Sequence, residues 1–196
     1  MKALLVTLVS IASAGVLVAA RPACAEAPAR LLPAQSEIDF VSKQMGVPVD
    51  GRFKRFDARL AFDPKAPSAG HVTIQVDLAS VDIGADAEAE LAKPGWFDSK
   101  RNPMAVFDST SIRRTAPGRL DVTGKLTIKG VARDALVPVT LTQSGGVTQA
   151  SGAFVIKRLD YRIGDGEWDD PSLVADEVQV SFKLAFAGIA PLQGAP

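Results

Sequence analysis

Apolar residues occupy every second position in several segments, most clearly near the end of the chain. The clearest run places Val178, Val180, Phe182, Leu184 and Phe186 between polar or small residues. Residues 71–78 repeat the pattern, with Val72, Ile74, Val76 and Leu78 at the apolar positions. A period of two is typical of a β-strand with one face in an apolar interior and the other in water.

The same alternation predicts an all-β domain of about eight strands. These are centred on residues 38–40, 56–62, 71–78, 105–113, 120–128, 135–141, 150–156 and 178–186. Mostly short turns separate them, so neighbouring strands should pair antiparallel. Alanine and glutamate between Ala85 and Lys93 predict one short helix, between strands 3 and 4, that Pro94-Gly95 terminates. The expected fold is an eight-stranded antiparallel barrel.

Three segments depart from regular alternation. Phe53 falls out of phase with Phe56, which indicates a bulge or bend near Lys54-Arg55. Pro138 lacks an amide hydrogen and therefore marks an edge or a bulge in its strand. Residues 26–33 combine alanine and proline without periodicity and are expected to form a loose lead.

The alternation alone does not decide whether the barrel interior is filled or hollow. Eight of the nine phenylalanines lie in or beside predicted strands, on faces assigned inward. Eight strands enclose a space that side chains can fill or that one slender ligand can occupy. Composition alone favours filling, with a ligand cavity as the alternative.

The N-terminal residues have the composition of an export signal. Met1-Lys2 precedes an apolar stretch over residues 3–20, and Ala23-Cys24-Ala25 has the small-x-small pattern of a cleavage site. We therefore predict a signal peptide over residues 1–25, cleavage after Ala25, and a periplasmic domain over residues 26–196. A retained membrane anchor is the alternative, since the apolar run nearly reaches spanning length. Cleavage would remove the only cysteine, which suits an oxidising compartment.

Charge and motif content argue against nucleic-acid binding and catalysis. The chain has 22 basic and 22 acidic residues and no basic block. The single histidine, His71, falls on the polar face of its strand, and no Gly-x-Ser-x-Gly elbow occurs. We expect neither an enzyme nor a bound cofactor.

Two further groups of residues have competing interpretations. Asp165, Glu167, Asp169 and Asp170 resemble a calcium loop only superficially, since the required glycine and terminal glutamate positions do not match. A solvated loop anchored by Trp168 is the better interpretation. Trp96-Phe97-Asp98, directly after the helix, is expected to pin that helix to the barrel, with ligand contact as the alternative.

Short motifs occur in a fixed order along the chain. They begin with Lys43-Gln44-Met45-Gly46, Gly51-Arg52-Phe53-Lys54-Arg55-Phe56 and Ala61-Phe62-Asp63-Pro64. They continue with Trp96-Phe97-Asp98, Asn102-Pro103-Met104-Ala105-Val106-Phe107 and residues 122–130, and end with residues 157–164 and Gly166-Glu167-Trp168. By the order and spacing of these motifs, the chain resembles the YceI-like family of exported, lipocalin-like proteins.

The resemblance implies a hollow, lipocalin-like barrel whose elongated apolar cavity takes a polyisoprenoid chain, such as the tail of a quinone. It carries no established catalytic residues. The expected cavity wall consists of Phe56, Leu60, Phe62, Val76, Leu78, Leu126, Phe154, Phe182, Leu184 and Phe186. Met45 and Trp96 are expected at the mouth of the cavity.

The expected function is periplasmic binding or transport of an isoprenoid lipid, with transient membrane contact. Two alternatives stay open: a binding module for a soluble amphiphile, and an accessory to a membrane quinone or cytochrome system. A homodimer is one assembly state that the sequence leaves open.

Overall fold

The computed structural model describes residues 29–192, so the predicted signal peptide lies outside the described residues. Within these residues the chain forms eleven strands and one α-helix. The first strands are β1 (Ala29–Leu31), β2 (Glu37–Gln44), β3 (Val47–Phe53), β4 (Phe56–Ala61), β5 (His71–Asp77) and β6 (Val81–Asp82). The helix α1 (Ala85–Leu91) precedes β7 (Met104–Ala116), β8 (Arg119–Ile128), β9 (Val131–Ser144), β10 (Val147–Lys157) and β11 (Glu177–Ala187). No helix among these residues has the length and apolar character needed to cross a membrane.

Eight of these strands close into an antiparallel ring, which confirms the predicted fold class. The order around the ring is β1-β4-β5-β7-β8-β9-β10-β11, and β11 returns to β1. The closing strand β1 pairs Ala29 with Leu60 on one side and Leu31 with Phe186 on the other. The loose lead predicted for residues 26–33 is therefore wrong for Ala29–Leu31. Three residues are too few to show a period of two, so only the tertiary pairing reveals this strand.

A second branch of the sheet begins at β11, next to the position of β1. In this branch β2 pairs with β11 and β3, and β3 pairs with β6 through Arg52↔Asp82 and Phe53↔Val81. The β2–β3 turn has positive φ at Met45 and Gly46. The chain bends at Lys54, whose amide donates to the Ser80 carbonyl, before β4 begins. This bend is why Phe53 is out of phase with Phe56.

The barrel wall is less complete between β9 and β10 than between β8 and β9. The β8–β9 ladder is continuous from Arg119↔Thr140 to Ile128↔Val131, whereas the β9–β10 ladder ends at Ser151↔Thr140. The Pro138 carbonyl is directed at Gly152, so this edge of Pro138 faces β10, where it has no N–H to donate. The ladder ends there, in agreement with the edge predicted from Pro138.

The helix α1 is shorter than predicted. It begins after Gly84, whose φ of +101° is accessible to glycine, and it ends at Leu91 rather than at Lys93. In chain order it lies between β5 and β7, together with the two-residue strand β6. Ala87, Glu90 and Leu91 share one helix face by their spacing.

Candidate binding cavity

The inner faces of the ring strands surround a cavity of about 360 Å³. This volume lies within the usual range for ligand sites in proteins, roughly 300–1,000 Å³. Apolar side chains from β4, β5 and β7–β11 form most of the wall, and β2 and β3 complete it. The interior is therefore hollow as well as apolar.

Ten of the twelve residues expected at the cavity line it in the structure. They are Leu60, Phe62, Val76, Leu78, Trp96, Leu126, Phe154, Phe182, Leu184 and Phe186. Most lie on the inward-facing positions of β4, β5, β8, β10 and β11, where the alternation placed them.

Met45 and Phe56 do not line the cavity. Met45 was expected at the mouth rather than in the wall, and it is 76% exposed at the β2–β3 turn, where its φ is positive. Phe56 packs against the cluster of Leu31, Leu184 and neighbouring residues, and it borders a separate surface depression. Its position next to the bend at Lys54 separates it from the cavity, which the alternation within β4 does not reveal.

The wall also contains residues that were not among the twelve expected at the cavity. Some continue a predicted alternation, as Ile74, Val122 and Val180 do, and a systematic reading of each strand would include them. Others come from α1 and from the loop between β10 and β11: Ala87, Glu90, Leu91, Arg158, Ile163, Trp168 and Val174. No periodic signal marks this second group.

Three phenylalanine rings in the wall lie over glycines of the neighbouring strand. A Cβ on Gly51 would come within 2.6 Å of Phe40 Cε1, and one on Gly124 within 2.6 Å of Phe107 Cζ. A Cβ on Gly152 would come within 2.8 Å of Phe182 Cζ. Each ring therefore occupies the space that a side chain would otherwise take on the next strand. Rings that lie along the wall leave the centre of the barrel open.

One end of the cavity, here called the mouth, opens between the β2–β3 hairpin, α1 and Trp168. Gln44 and Trp168 line the cavity and are exposed, while Ser42, Glu90 and Leu91 line it and are half-buried. Glu90 also pairs with Lys93, one turn further along. Most of the polar groups in the wall therefore lie near the mouth.

The opposite end, here called the closed end, is sealed by buried side chains and the C-terminal segment. Thr148 is fully buried, and its hydroxyl accepts a 2.9 Å hydrogen bond from Gln143 Nε2. The Gln143 side chain also donates to the Ile189 carbonyl and accepts from the Leu192 amide. These bonds hold the segment after β11 across the end of the barrel.

A single buried guanidinium organises the loop beside the mouth. Arg158 is 2% exposed and lines the cavity, yet all five of its N–H groups have acceptors. They donate to the carbonyls of Ile163, Gly164, Trp168, Val174 and Ala175, at 2.6–3.1 Å. Five carbonyls spread over the loop thus converge on one side chain.

The Arg158 charge has no carboxylate among these hydrogen-bond partners. Burial lowers the pKa of its guanidinium, and the carboxylates of Asp176 and Asp169 act against that shift. Arginine stays protonated at any ordinary pH despite such a shift. The loop beside the mouth therefore holds a fixed, buried positive charge.

Trp96 and Phe97 both pack into the core cluster, against which Leu91 of the helix also packs, and both line the cavity. Contact of this pair with a ligand stays a prediction. The six-membered ring of Trp96 lies against Gly164, where a Cβ would come within 3.1 Å of its Cζ3. Its ring centre is 5.9 Å from that of Trp168. Trp96 Nε1 is buried and has no hydrogen-bond acceptor among residues 29–192.

The remaining candidate groups lie away from the cavity or are occupied with local contacts. His71 Nε2 lies 3.1 Å from Asp108 Oδ1 on exposed side chains. Hydrogen bonding from Ser172, first through its backbone amide, lowers the pKa of Asp170. In the part of the chain that the structure describes, no three histidine, cysteine or acidic side chains group as metal ligands.

Comparison with known proteins places this geometry in a family. The family model for the YceI-like domain matches residues 30–186. Protein YceI of Escherichia coli O157:H7 is 37% identical over 92 residues, which is 46% of each chain. A UPF0312 protein of Pseudomonas aeruginosa is 33% identical over 110 residues, or 55% of this chain and 57% of the relative. The matched segments thus span about half the length of these curated relatives.

Solved structures extend the likeness to nearly the whole described chain. BcnA of Burkholderia cenocepacia has 43% sequence identity and a TM-score of 0.76, covering 79% of this chain and 98% of its own. A polyisoprenoid binding domain from Saccharophagus degradans, implicated in plant cell wall breakdown, has a TM-score of 0.67 and covers 82% of this chain and 98% of its own. At 20% identity, that second likeness shows a shared fold alone.

Proposed function

The chain belongs to the YceI-like family, and from that premise we propose that it binds a polyisoprenoid or isoprenoid-quinone-type lipid inside the barrel and carries it through the periplasm. The observation that supports this most directly is the long apolar wall around a hollow interior. The apolar tail would lie along the rings of Phe107, Phe154 and Phe182, and the polar part of the lipid would lie near the mouth.

The energetics of exchange suit a carrier. Burying one methylene group from water contributes about 0.8 kcal/mol, so a five-carbon isoprene unit contributes roughly 3–4 kcal/mol. Several units would exceed the observed limit of non-covalent affinity if water were the reference. The donor phase is a membrane, however, and transfer from lipid to an apolar cavity is nearly neutral. A nearly neutral transfer allows both loading and release.

The proposed location rests on the signal-like residues 1–25, and the proposed membrane contact rests on the apolar residues beside the mouth. Met45 and Val47 are 76% and 64% exposed, and Leu173 is 42% exposed. The Met45 amide donates to the Leu173 carbonyl, so the hairpin and the loop present these side chains together. Such a rim would let the mouth approach a bilayer while the lipid enters.

Native mass spectrometry of the protein, expressed from the full sequence and exported in a bacterial host, tests the proposal. We expect a co-purified lipid whose mass matches a polyisoprenoid or an isoprenoid quinone. Phe182→Arg should abolish uptake because it places an unpaired charge in the wall. Gln179→Arg, on the exposed face of the same strand, should leave uptake unchanged.

If Phe182→Arg does not fold, Phe182→Asn provides a neutral polar change at the same position, with circular dichroism as the folding check. Repeated isolation of folded wild-type protein without any lipid would contradict the proposal. A co-purified soluble amphiphile, identified by its mass, would replace the isoprenoid as the ligand.

A further inference from the structure

The closed end of the barrel points to a limit on the length of the bound chain. We propose that residues 188–192, here called the floor, are held in place by Gln143 and set how many isoprene units the cavity accepts. This inference rests on the proposed function and adds selectivity for chain length. The preferred ligand is then an isoprenoid lipid whose tail ends at the floor while its polar head lies at the mouth.

The first observation is that the chain turns after β11 and places a side chain in the cavity wall. β11 ends at Ala187, and Gly188 follows with a φ of +85°, a conformation that suits glycine. After this turn, Ile189 is 8% exposed, lines the cavity, and belongs to the same core cluster as Leu184 and Phe186. The floor is therefore part of the cavity wall at the end opposite the mouth.

The second observation is that one side chain binds the floor to the barrel. Gln143 Nε2 donates to the carbonyls of Ile189 and Ala190 at 3.2 and 3.3 Å, and Gln143 Oε1 accepts from the Leu192 amide at 3.0 Å. The same nitrogen donates to the hydroxyl of Thr148, a fully buried residue that also lines the cavity. Both the donor and the acceptor of the Gln143 amide are thus used, and the floor is held at a fixed depth.

The energetics of burial make such a floor a sharp limit. A chain that reaches the floor can extend only toward the mouth, so each isoprene unit beyond the capacity of the cavity is left in water once the protein leaves the membrane. The lost burial of that unit should weaken binding by at least about a hundredfold. A unit that fits costs little relative to the membrane. Binding should therefore fall steeply beyond one chain length and change little below it.

The test measures which chain lengths the protein extracts from a membrane. Two homologous series, polyprenols and isoprenoid quinones, are mixed into phosphatidylcholine vesicles, with successive members differing by a single isoprene unit. The protein, expressed from the full sequence and exported, is incubated with the vesicles and separated from them. Native mass spectrometry then identifies the bound members. We expect wild type to bind at least one series up to a defined length and to lose longer members at least about a hundredfold.

Replacement of Gln143 tests whether the floor sets this limit. Gln143→Leu removes both hydrogen-bonding groups of the amide at similar side-chain volume, so the floor can move aside and the limit should shift to longer chains. Gln149→Leu is the matched control. Gln149 lies between Thr148 and Ala150, which both line the cavity, so its side chain is on the outer face of β10 and the limit should stay unchanged.

Two changes inside the cavity should move the limit in opposite directions. Ile189→Ala shortens the side chain at the floor and should admit about one further isoprene unit. Ala150→Leu adds bulk on the inner face of β10, two residues from Thr148, and should exclude about one unit. Circular dichroism checks that each variant is folded, so the opposite shifts remain measurable if Gln143→Leu does not fold.

Equal binding of all chain lengths by wild type would overturn the floor as a limit. The same conclusion would follow if the folded variants at Gln143, Ile189 and Ala150 kept the wild-type limit, or if Gln149→Leu shifted it as far as Gln143→Leu. Failure of folded wild-type protein to bind any member of either series would instead overturn the proposed function.

Discussion

The two ends of the barrel are built in different ways. At the closed end, β1 joins β4 to β11, β9 pairs with β10, and Leu184 and Phe186 are each 2% exposed. At the mouth end, the β9–β10 ladder is absent, and Arg158 binds the carbonyls of the loop between β10 and β11. Strand pairing and the C-terminal segment bound by Gln143 close one end, and hydrogen bonds from Arg158 to loop carbonyls shape the other.

This difference shows how a hollow barrel combines stability with access. A ladder of backbone hydrogen bonds and buried apolar side chains is cooperative, so the closed end should open only with global unfolding. The loop between β10 and β11 is held by one side chain, Arg158, rather than by strand pairing, and this leaves an opening at the mouth end. The same arrangement makes the mouth end depend on a few residues, and substitutions at these residues can test the comparison.

Replacement of Arg158 should have the largest effect. Arg158→Met leaves five carbonyl groups without their donor, and at about 1 kcal/mol or more for each we expect a loss of about 5 kcal/mol in the free energy of unfolding. Such a loss is comparable to the whole stability of many domains. Urea unfolding of the full chain measures it.

Arg59→Met is the matched control, because Arg59 is exposed on β4 and should change stability by less than about 0.5 kcal/mol. Arg158→Lys should fall between the two, since an ammonium has three donors for the five carbonyls. A stability of Arg158→Met close to wild type would show that the loop does not depend on this residue.

Matched leucine truncations compare the two ends directly. Leu184→Ala, at a residue 2% exposed near the closed end, should cost about 2–5 kcal/mol. Leu91→Ala, at a half-buried residue of the mouth, should cost about 1 kcal/mol because little of the side chain loses contact. Thermal or urea unfolding of both variants measures the difference. Equal losses of stability in the two variants would contradict the difference between the closed end and the mouth end.

A glycine substitution tests why the interior is hollow. Gly51→Ala would force a Cβ against the ring of Phe40 and against Ile83 Cγ2, and we expect a loss of about 1–3 kcal/mol from overpacking. Combining it with Phe40→Leu should restore part of the stability, because the smaller side chain leaves room for the methyl group. If Gly51→Ala is as stable as wild type, the ring is not packed over the glycine.

The alternation in the sequence is sufficient to predict the barrel and most of its wall. A strand that is buried on one face has apolar residues at every second position, such as Leu126 and Phe182. The alternation misses Ala29–Leu31, since three residues are too short to show a period. It also misses β3, which begins at Val47, because Met45-Gly46-Val47-Pro48 is typical of a turn. It is also silent on the hollow interior. The fit of Phe182 over Gly152 depends on which residues lie opposite each other, and that register is set by tertiary pairing.

Loop residues are the other part of the site that could not be predicted from the sequence. Arg158 follows the last residue of β10 and has the charge of a surface residue, so nothing local indicates that it is 2% exposed. Its burial depends on five carbonyls that the loop brings together only after folding. Trp168 was expected to anchor this loop; its side chain is 38% exposed and its ring lies 5.9 Å from that of Trp96, whereas its backbone carbonyl accepts from Arg158 Nη2.

Pro138→Val should have the smallest effect on stability and the clearest effect on the pairing between the two ends. It supplies an N–H on the edge that faces β10, so the β9–β10 ladder can extend from Ser151↔Thr140 toward the mouth. One added hydrogen bond contributes about 0.5–1.5 kcal/mol. Loss of the proline offsets about 0.4–1 kcal/mol of that gain, because the unfolded chain becomes more flexible. The net change in unfolding free energy should therefore stay within about 1 kcal/mol.

Amide hydrogen exchange should nevertheless detect the extended ladder in Pro138→Val. Leu136 and Val155 would be opposite each other if the register continued, and they are 58% and 57% exposed. Their amides should exchange more slowly in the variant than in wild type. Pro48→Val is the matched control, since the β2–β3 register runs unbroken through Lys43↔Pro48 and has no missing pair to restore. Unchanged exchange at Leu136 and Val155 would show that the missing N–H of Pro138 is not what keeps β9 and β10 apart at the mouth end.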